Sequence, residues 1–211
     1  MPQSDGRPDI PDPAVIEELA GISTANISDA LFRMGIKDRT MRAQIKPVDP
    51  SMRVSGPACT AWAYPGGTHA CDLALQAAEP GQVIVLDGKG FLEAVLWGEI
   101  FSHMAMARGI AGTVIDGAVR DIDGVAELGY PLFAAGITPA AGTADELGQV
   151  NVSITCAGVV VNPGDWVFGD LLGVVVVRPD ELETVLDWCR QIAEKEAKMI
   201  AEAKAQIEAR C

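Results

Sequence analysis

The chain has 211 residues, is 49% hydrophobic but only 5% aromatic, and carries a formal net charge of -13. An acidic chain with no lysine–arginine cluster excludes a nucleic-acid backbone as partner, and the lack of any uncharged apolar run of about 18 residues excludes a membrane-spanning helix. The length suits one domain with a core of Ala, Val, Ile and Leu, in which positive charge for an anionic substrate must come from a metal or a few arginines.

Residues 1–12 are polar and Pro-rich and read as a disordered lead-in, not a secretory signal. Pro13 then sits at a helix start behind Asp12 as N-cap, and that helix ends near Gly21. Ser23 to Asn26 open a second helix whose Ile27, Ala30, Leu31 and Met34 recur at helical spacing, and Gly35 closes it. Residues 36–53 hold Lys37, Arg39, Arg42 and Lys46, which suits a solvated connection or an anion site. Gly56 to Ala63 read as a strand ended by Pro65-Gly66-Gly67, and Thr68 is placed to cap a helix holding Cys71, Leu73, Ala74 and Ala77.

Gln82 to Asp87 form a continuous apolar run that fits a strand buried on both faces. Gly88-Lys89-Gly90 then reads as a flexible loop before a helix over 91–108. A short strand, Gly112 to Ile115, is followed by Asp116-Gly117-Ala118-Val119-Arg120-Asp121 and a short helix to Leu128. Pro131 to Ala134 suit another strand, 136–148 a loop, and 150–161 a strand or hairpin. Asn162 to Asp165 signal a turn, with strands at 166–168 and 174–177. From Pro179 onward the chain reads as one long helix, too weakly apolar in its last turns to persist without packing from elsewhere. The expected organisation is a single α/β catalytic domain over 13–178 and a helix over 179–211 that docks on a neighbouring subunit. The five cysteines are odd in number and contain no C-x-x-C, which suits a reduced, cytoplasmic setting. Cys211 is expected to be exposed.

The chemistry concentrates between Gly98 and Asp123. Asp116 to Asp121 suit two uses: a strand-to-helix turn in which Asp116 ends the strand, Gly117 bends the backbone and Asp121 caps the helix; or a site. For the latter, Arg120 offers a bidentate guanidinium for a carboxylate or oxyanion, and Asp121 a hard oxygen of the kind Mg²⁺ or Mn²⁺ prefers. Glu99, read here as a carboxylate on an apolar helix, needs a partner or a cleft edge. It either pairs with His103, four residues on, or holds a water at a metal. With two histidines in the chain and no close His/Cys spacing, zinc is not expected. Neither a Ser/His/Asp context, a P-loop nor G-x-G-x-x-G is present.

The segments LDGKG (86–90), AVLWGE (94–99), ARGIAGTVIDGAVRDID (107–123), ELGYPLFAAGITP (127–139) and the stretch from Val150 to Pro179 resemble one family. It joins the 4-hydroxy-4-methyl-2-oxoglutarate/4-carboxy-4-hydroxy-2-oxoadipate aldolases with the regulators of ribonuclease activity A. The resemblance covers roughly residues 20–200, and VIDGAVRD is its specific part. It implies an α/β, three-layer β/β/α swivelling-domain fold with N-terminal helices and a long C-terminal helix, assembled as a trimer or hexamer with the active site between subunits. It further implies a class II aldolase in which Mg²⁺ or Mn²⁺ holds pyruvate as its enolate, with oxaloacetate decarboxylation as a second activity. On that pattern Asp121 is the metal ligand and Arg120 contacts pyruvate. Glu99 holds metal-bound water, and backbone N–H groups around Gly98, Glu99 and Ile100 receive the pyruvate carboxylate. Glu196, or Glu194, arrives from the next subunit. The aldolases have Asp where this chain has Glu99. The regulators also have Glu there but lack the acid after the arginine, so an intact Arg120-Asp121 favours the enzyme over a non-catalytic ribonuclease inhibitor.

Overall fold

A computed structural model describes residues 11–144 and 146–208. Cys211 and all but Pro11 and Asp12 of the expected lead-in lie outside the described residues. Two helices open the chain, α1 (Pro13–Gly21) and α2 (Thr24–Arg33), and their caps are the expected ones. The Asp12 carboxylate accepts from Ala14 N–H at 2.9 Å and Ser23 Oγ from Asn26 N–H at 3.3 Å, which satisfies amides that a helix start leaves bare. Gly35 ends the pair at φ +83°, a conformation costly for any residue with a Cβ.

The strands follow as β1 (Lys46–Pro47), β2 (Val54–Ala63), β3 (Val83–Trp97), β4 (Gly112–Val119), β5 (Leu132–Ile137), β6 (Gly148–Val150), β7 (Ile154–Cys156), β8 (Val159–Val161), β9 (Trp166–Asp170) and β10 (Gly173–Val177). Between them lie α3 (His69–Ala77), α4 (Glu99–Ala107) and α5 (Ile122–Leu128), and a 3-10 turn at Pro179–Glu181 leads into α6 (Leu182–Glu208). The main sheet runs β1-β5-β4-β3-β2-β9-β10, with β6 paired to β2, and β7-β8 form a separate hairpin. Strands β2 to β5 are parallel to one another, joined by α3, α4 and α5. Strand β2 changes partner midway: Val54 to Pro57 pair antiparallel with β9, and Ala58 to Trp62 pair parallel with β3.

Three apolar layers result. Cys59, Leu86, Trp97, Ile115 and Leu132 pack one sheet face against α3, α4 and α5. Val83, Val85, Val114 and Phe133 pack the other against the β7-β8 hairpin and β9-β10. Phe168, Val175 and Val177 then meet Leu19, Ile27, Leu31, Leu182 and Leu186 from α1, α2 and α6. This is the expected β/β/α arrangement with helices from both chain ends on its outer side. Among the described residues no helix is long and apolar enough to cross a membrane.

Four local expectations are corrected. Residues 91–97 are strand, not helix: β3 runs unbroken from Val83 to Trp97, with register shifts against β4 after Leu86, Phe91 and Val95. The supposed loop Gly88-Lys89-Gly90 is where that irregularity begins, and Lys89 and Gly90 take positive φ. Pairing of Phe91, Val95 and Trp97 with β4 holds this stretch extended, and Leu92, Glu93 and Ala94, despite their helical preference, lie in the register shift between the first two. Strand β4 likewise continues through Asp116 to Val119 and is buried throughout. Thr68 occupies the N-cap position of α3 without a side-chain capping bond. Within the basic stretch, the Arg39 guanidinium is buried and makes a two-pronged pair with Glu181 at 2.9 and 3.3 Å, and Lys46 donates to the Leu172 carbonyl at 2.5 Å.

Candidate active site

The corrected boundaries bring Gly98, Glu99, Ile100, Arg120 and Asp121 to one end of the parallel strands, where β3 gives way to α4 and β4 to α5. In open α/β sheets the carboxyl ends of parallel strands are where ligand clefts form. The turn after β3 is pinned by Ser102: its hydroxyl accepts from the Trp97 indole N–H at 3.0 Å and donates to the Gly98 carbonyl at 3.0 Å. Trp97 also stacks on Phe101 at 5.0 Å. The turn after β4 is tied to it by the Arg120 N–H, which donates to the Trp97 carbonyl at 3.1 Å. Two strand ends are thereby held side by side, and their next residues share one cleft.

That cleft measures about 180 Å³ and is lined by Gly98, Ile100, Phe101, Arg120 and Asp121, together with Thr68, Val95, Trp97, Ala141 and Gly142. Arg120 Nε stands 3.3 Å from Asp121 Oδ2, both side chains part-exposed. Asp121 fills the N-cap position of α5, yet its carboxylate makes no capping bond, so its oxygens are not committed to the helix as a structural cap would be. Its backbone is left-handed, φ 54° and ψ 36°, which aspartate tolerates better than most residues. Gly117 shows no positive φ, so the expected backbone bend lies at Asp121 instead.

Gly98 precedes α4 in an extended conformation, and no side chain caps that helix. Glu99 is therefore the first residue of α4, not an acid in the middle of an apolar helix. The first-turn amides of Glu99 and Ile100 start a nine-residue helix beside Arg120, and uncapped helix starts favour anions. Gly98 is also a steric requirement, because a Cβ there would meet Asp121 Oδ2 at 2.8 Å and Arg120 Cγ at 3.3 Å.

Glu99 does not line the cleft. Its Oε1 lies 3.6 Å from His103 Nε2, the surface pairing that the spacing allowed. Glu196 is not brought to the cleft within one chain either: it accepts from Asn26 Nδ2 at 3.3 Å. The wall that sequence reasoning missed is the segment after β5. Thr143 N–H donates to the Gly66 carbonyl at 2.8 Å, Thr68 N–H to the Thr143 carbonyl at 3.1 Å and Val95 N–H to the Ala140 carbonyl at 3.1 Å. A Cβ at Gly142 would stand 2.3 Å from the Val95 carbonyl oxygen, so the glycine in that Ala- and Pro-rich loop was the available signal.

The donor set suits one class of ion. Mg²⁺ and Mn²⁺ accept hard carboxylate oxygens, and Mg²⁺ in particular keeps several waters while using only one or two carboxylates. The Asp121 carboxylate, which does not cap α5 and stands beside Arg120 in an open cleft, fits that demand. Among the described residues no three His, Cys, Asp or Glu side chains gather as a metal set. A larger recess of about 500 Å³, lined by Trp62, Asp87, Lys89 and Thr155 among others, shares no residue with the cleft. Its lysine is already paired with buried Asp87 at 2.5 Å.

Comparison with known proteins places these residues in context. A family profile described as RraA-like, Aldolase/RraA, matches residues 24–176. The chain is 40% identical over 171 residues to a protein of Halalkalibacterium halodurans provisionally named 4-hydroxy-4-methyl-2-oxoglutarate aldolase, covering 81% of this chain and 80% of that one. An uncharacterised protein from Pseudomonas syringae pv. tomato has a similar structure, with a TM-score of 0.79 and 33% identity over 92% of this chain and 94% of that chain. The Streptomyces coelicolor protein RraAS2, described as an unusual member of the RNase ES inhibitor RraA protein family, also has a TM-score of 0.79. It is 27% identical over 92% of this chain and 100% of that chain.

Proposed function

Because the chain belongs to the RraA-like, Aldolase/RraA family, we propose that it is a divalent-metal-dependent class II aldolase. It would cleave a 4-hydroxy-2-oxo acid, such as 4-hydroxy-4-methyl-2-oxoglutarate or 4-carboxy-4-hydroxy-2-oxoadipate, to pyruvate and a second keto acid. Decarboxylation of oxaloacetate would follow from the same charge stabilisation. The observation that carries this reading is Asp121, held at a helix start with its carboxylate uncapped and 3.3 Å from Arg120.

Asp121 would hold Mg²⁺ or Mn²⁺, and the ion when bound supplies Lewis-acid stabilisation of the negative charge that grows on the carbonyl oxygen as the carbon–carbon bond breaks. Arg120 provides a fixed cation beside that oxygen, in place before the charge develops. The α4 amides of Glu99 and Ile100 orient the pyruvate carboxylate, which spares the reaction the entropy of finding its geometry. Glu99, which does not line the cleft itself, would act through a water, taking up the proton of the 4-hydroxyl group as the carbon–carbon bond breaks. The remaining acid, Glu196, or Glu194 as the alternative, would come from a second copy of the chain in a trimer or hexamer, docked through α6. On that helix Met199, Ile200 and Ile207 are exposed beyond the turns packed on α1 and α2. Cys59, Cys156 and Cys189 are buried free thiols, which suits a reducing compartment such as the cytoplasm.

A coupled assay of pyruvate release, run with EDTA and then with Mg²⁺ or Mn²⁺ restored, tests the proposal. Activity that is lost to EDTA and regained with metal, and that falls at least about a hundredfold in Arg120→Ala, supports it. No turnover of oxaloacetate or of either hydroxy-keto acid with any metal would defeat it. The likeness to RraAS2 supports a second reading, a non-catalytic protein that inhibits a ribonuclease by contact. On that reading Asp121→Ala leaves the inhibition intact.

A further inference from the structure

Gly124 has no conformational reason to be glycine. It lies in the first turn of α5, its φ is not positive, and glycine inside a helix is among the least favourable residues. Its reason is steric and comes from the other helix. A Cβ at position 124 would stand 2.5 Å from Glu99 Cδ, 2.6 Å from Oε2 and 2.8 Å from Oε1, so the whole carboxylate of Glu99 rests against the bare backbone of Gly124. On its other side Oε1 faces His103 Nε2 at 3.6 Å. The Glu99 head thus rests between α5 and the next turn of its own helix, with its side chain still part-exposed, and does not line the cleft.

We infer that Gly124 is a positioning residue for Glu99: the missing side chain leaves the seat that an acid of glutamate length needs, and so sets where that carboxylate stands relative to the cleft. The functional half of this inference rests on the aldolase reading above, whereas the seat itself is a property of the fold. The two positions form a length rule. Glutamate at 99 keeps this placement only beside glycine at 124 and must swing its carboxylate aside for a Cβ, whereas aspartate, one methylene shorter, withdraws its carboxylate and leaves room for a methyl group.

A four-protein cycle separates these claims: the wild-type chain, Gly124→Ala, Glu99→Asp and the double variant, each followed by thermal melting and by steady-state pyruvate release. Alanine is the better helix former, so with aspartate at 99 the Gly124→Ala change should raise the melting temperature by about 2–4 °C. With glutamate at 99 the collision should cancel that gain and leave the melting temperature unchanged or lower. A carboxylate displaced by about 1 Å should lower kcat by about tenfold to a hundredfold in the glutamate background, with KM within about twofold and circular dichroism unaltered. In the aspartate background the added methyl should change kcat less than about twofold. An equal rise in melting temperature in both backgrounds would overturn the seat, and an equal kcat effect in both would overturn its role in positioning. Absence of turnover in all four proteins would defeat the aldolase reading and the positioning role together, while the melting temperatures still decide the seat.

Discussion

Gly98→Ala separates the fold from the site more cleanly than removing either charged residue. The backbone at Gly98 is extended, with φ -162° and ψ -163°, so alanine adopts it without strain. Its cost to stability is confined to the N-cap preference, in which alanine ranks below glycine by about 1 kcal/mol at most. The effect on the site is larger. The new Cβ would stand 2.8 Å from Asp121 Oδ2, while an ordinary contact needs at least 3.4 Å. The carboxylate, being the end of a side chain and not backbone, withdraws by roughly 0.6 Å and turns from Arg120. A metal ligand shifted in this way should weaken Mn²⁺ binding by about tenfold to a hundredfold, the range seen when the support of a ligand is lost. Mn²⁺ titration followed by electron paramagnetic resonance reads the affinity, and urea denaturation reads the fold. A variant that binds Mn²⁺ and turns over substrate as the wild type does would refute the placement of Asp121 at the metal. A variant that unfolds would refute the backbone argument.

Asp170→Asn should destabilise the chain by about 2–3 kcal/mol, because the buried carboxylate accepts from Thr24 N–H at 2.9 Å, Thr24 Oγ1 at 2.6 Å and Leu172 N–H at 2.9 Å. Burial pushes this carboxyl up, but those hydrogen bonds and Arg53 outweigh it and hold it below the ordinary aspartate value of 3.8. Its stabilisation is therefore whole above that value and is lost as the pH falls through the lower native one, a loss absent from the variant in urea titrations between about pH 5 and 2. Burial raises the Cys59 and Cys189 thiols to about 11 and raises Cys156 further, with Asp116 and Asp87 adding to the last. Iodoacetamide at pH 8 should accordingly leave Cys59, Cys156 and Cys189 unlabelled until denaturant is added, as peptide mass mapping would show.

Local chemistry was readable where one residue decides the outcome: Asp12, Ser23 and Gly35 mark helix ends because caps and left-handed turns are short-range events. The stretch Phe91 to Trp97 was not, because its leucines, glutamate and alanine suit a helix and only its pairing with β4 makes it strand. That error also hid the correct setting of Glu99, whose place at a helix start depends on where β3 stops. Arg120 and Asp121 were legible as a pair of functional groups. Their common cleft with Thr68 and Gly142 depends on hydrogen bonds between segments about 75 residues apart, which no local pattern encodes.

The left-handed backbone at Asp121 narrows what this position tolerates. Aspartate, asparagine and glycine accept that conformation, and glycine relieves its strain altogether. Only one of the three carries a negative charge. Folding alone thus gives no reason to keep the acid, and a lineage released from its chemistry could exchange it with the scaffold undisturbed or even steadier. Position 121 is one where retention of function, not of architecture, decides which residue stands there.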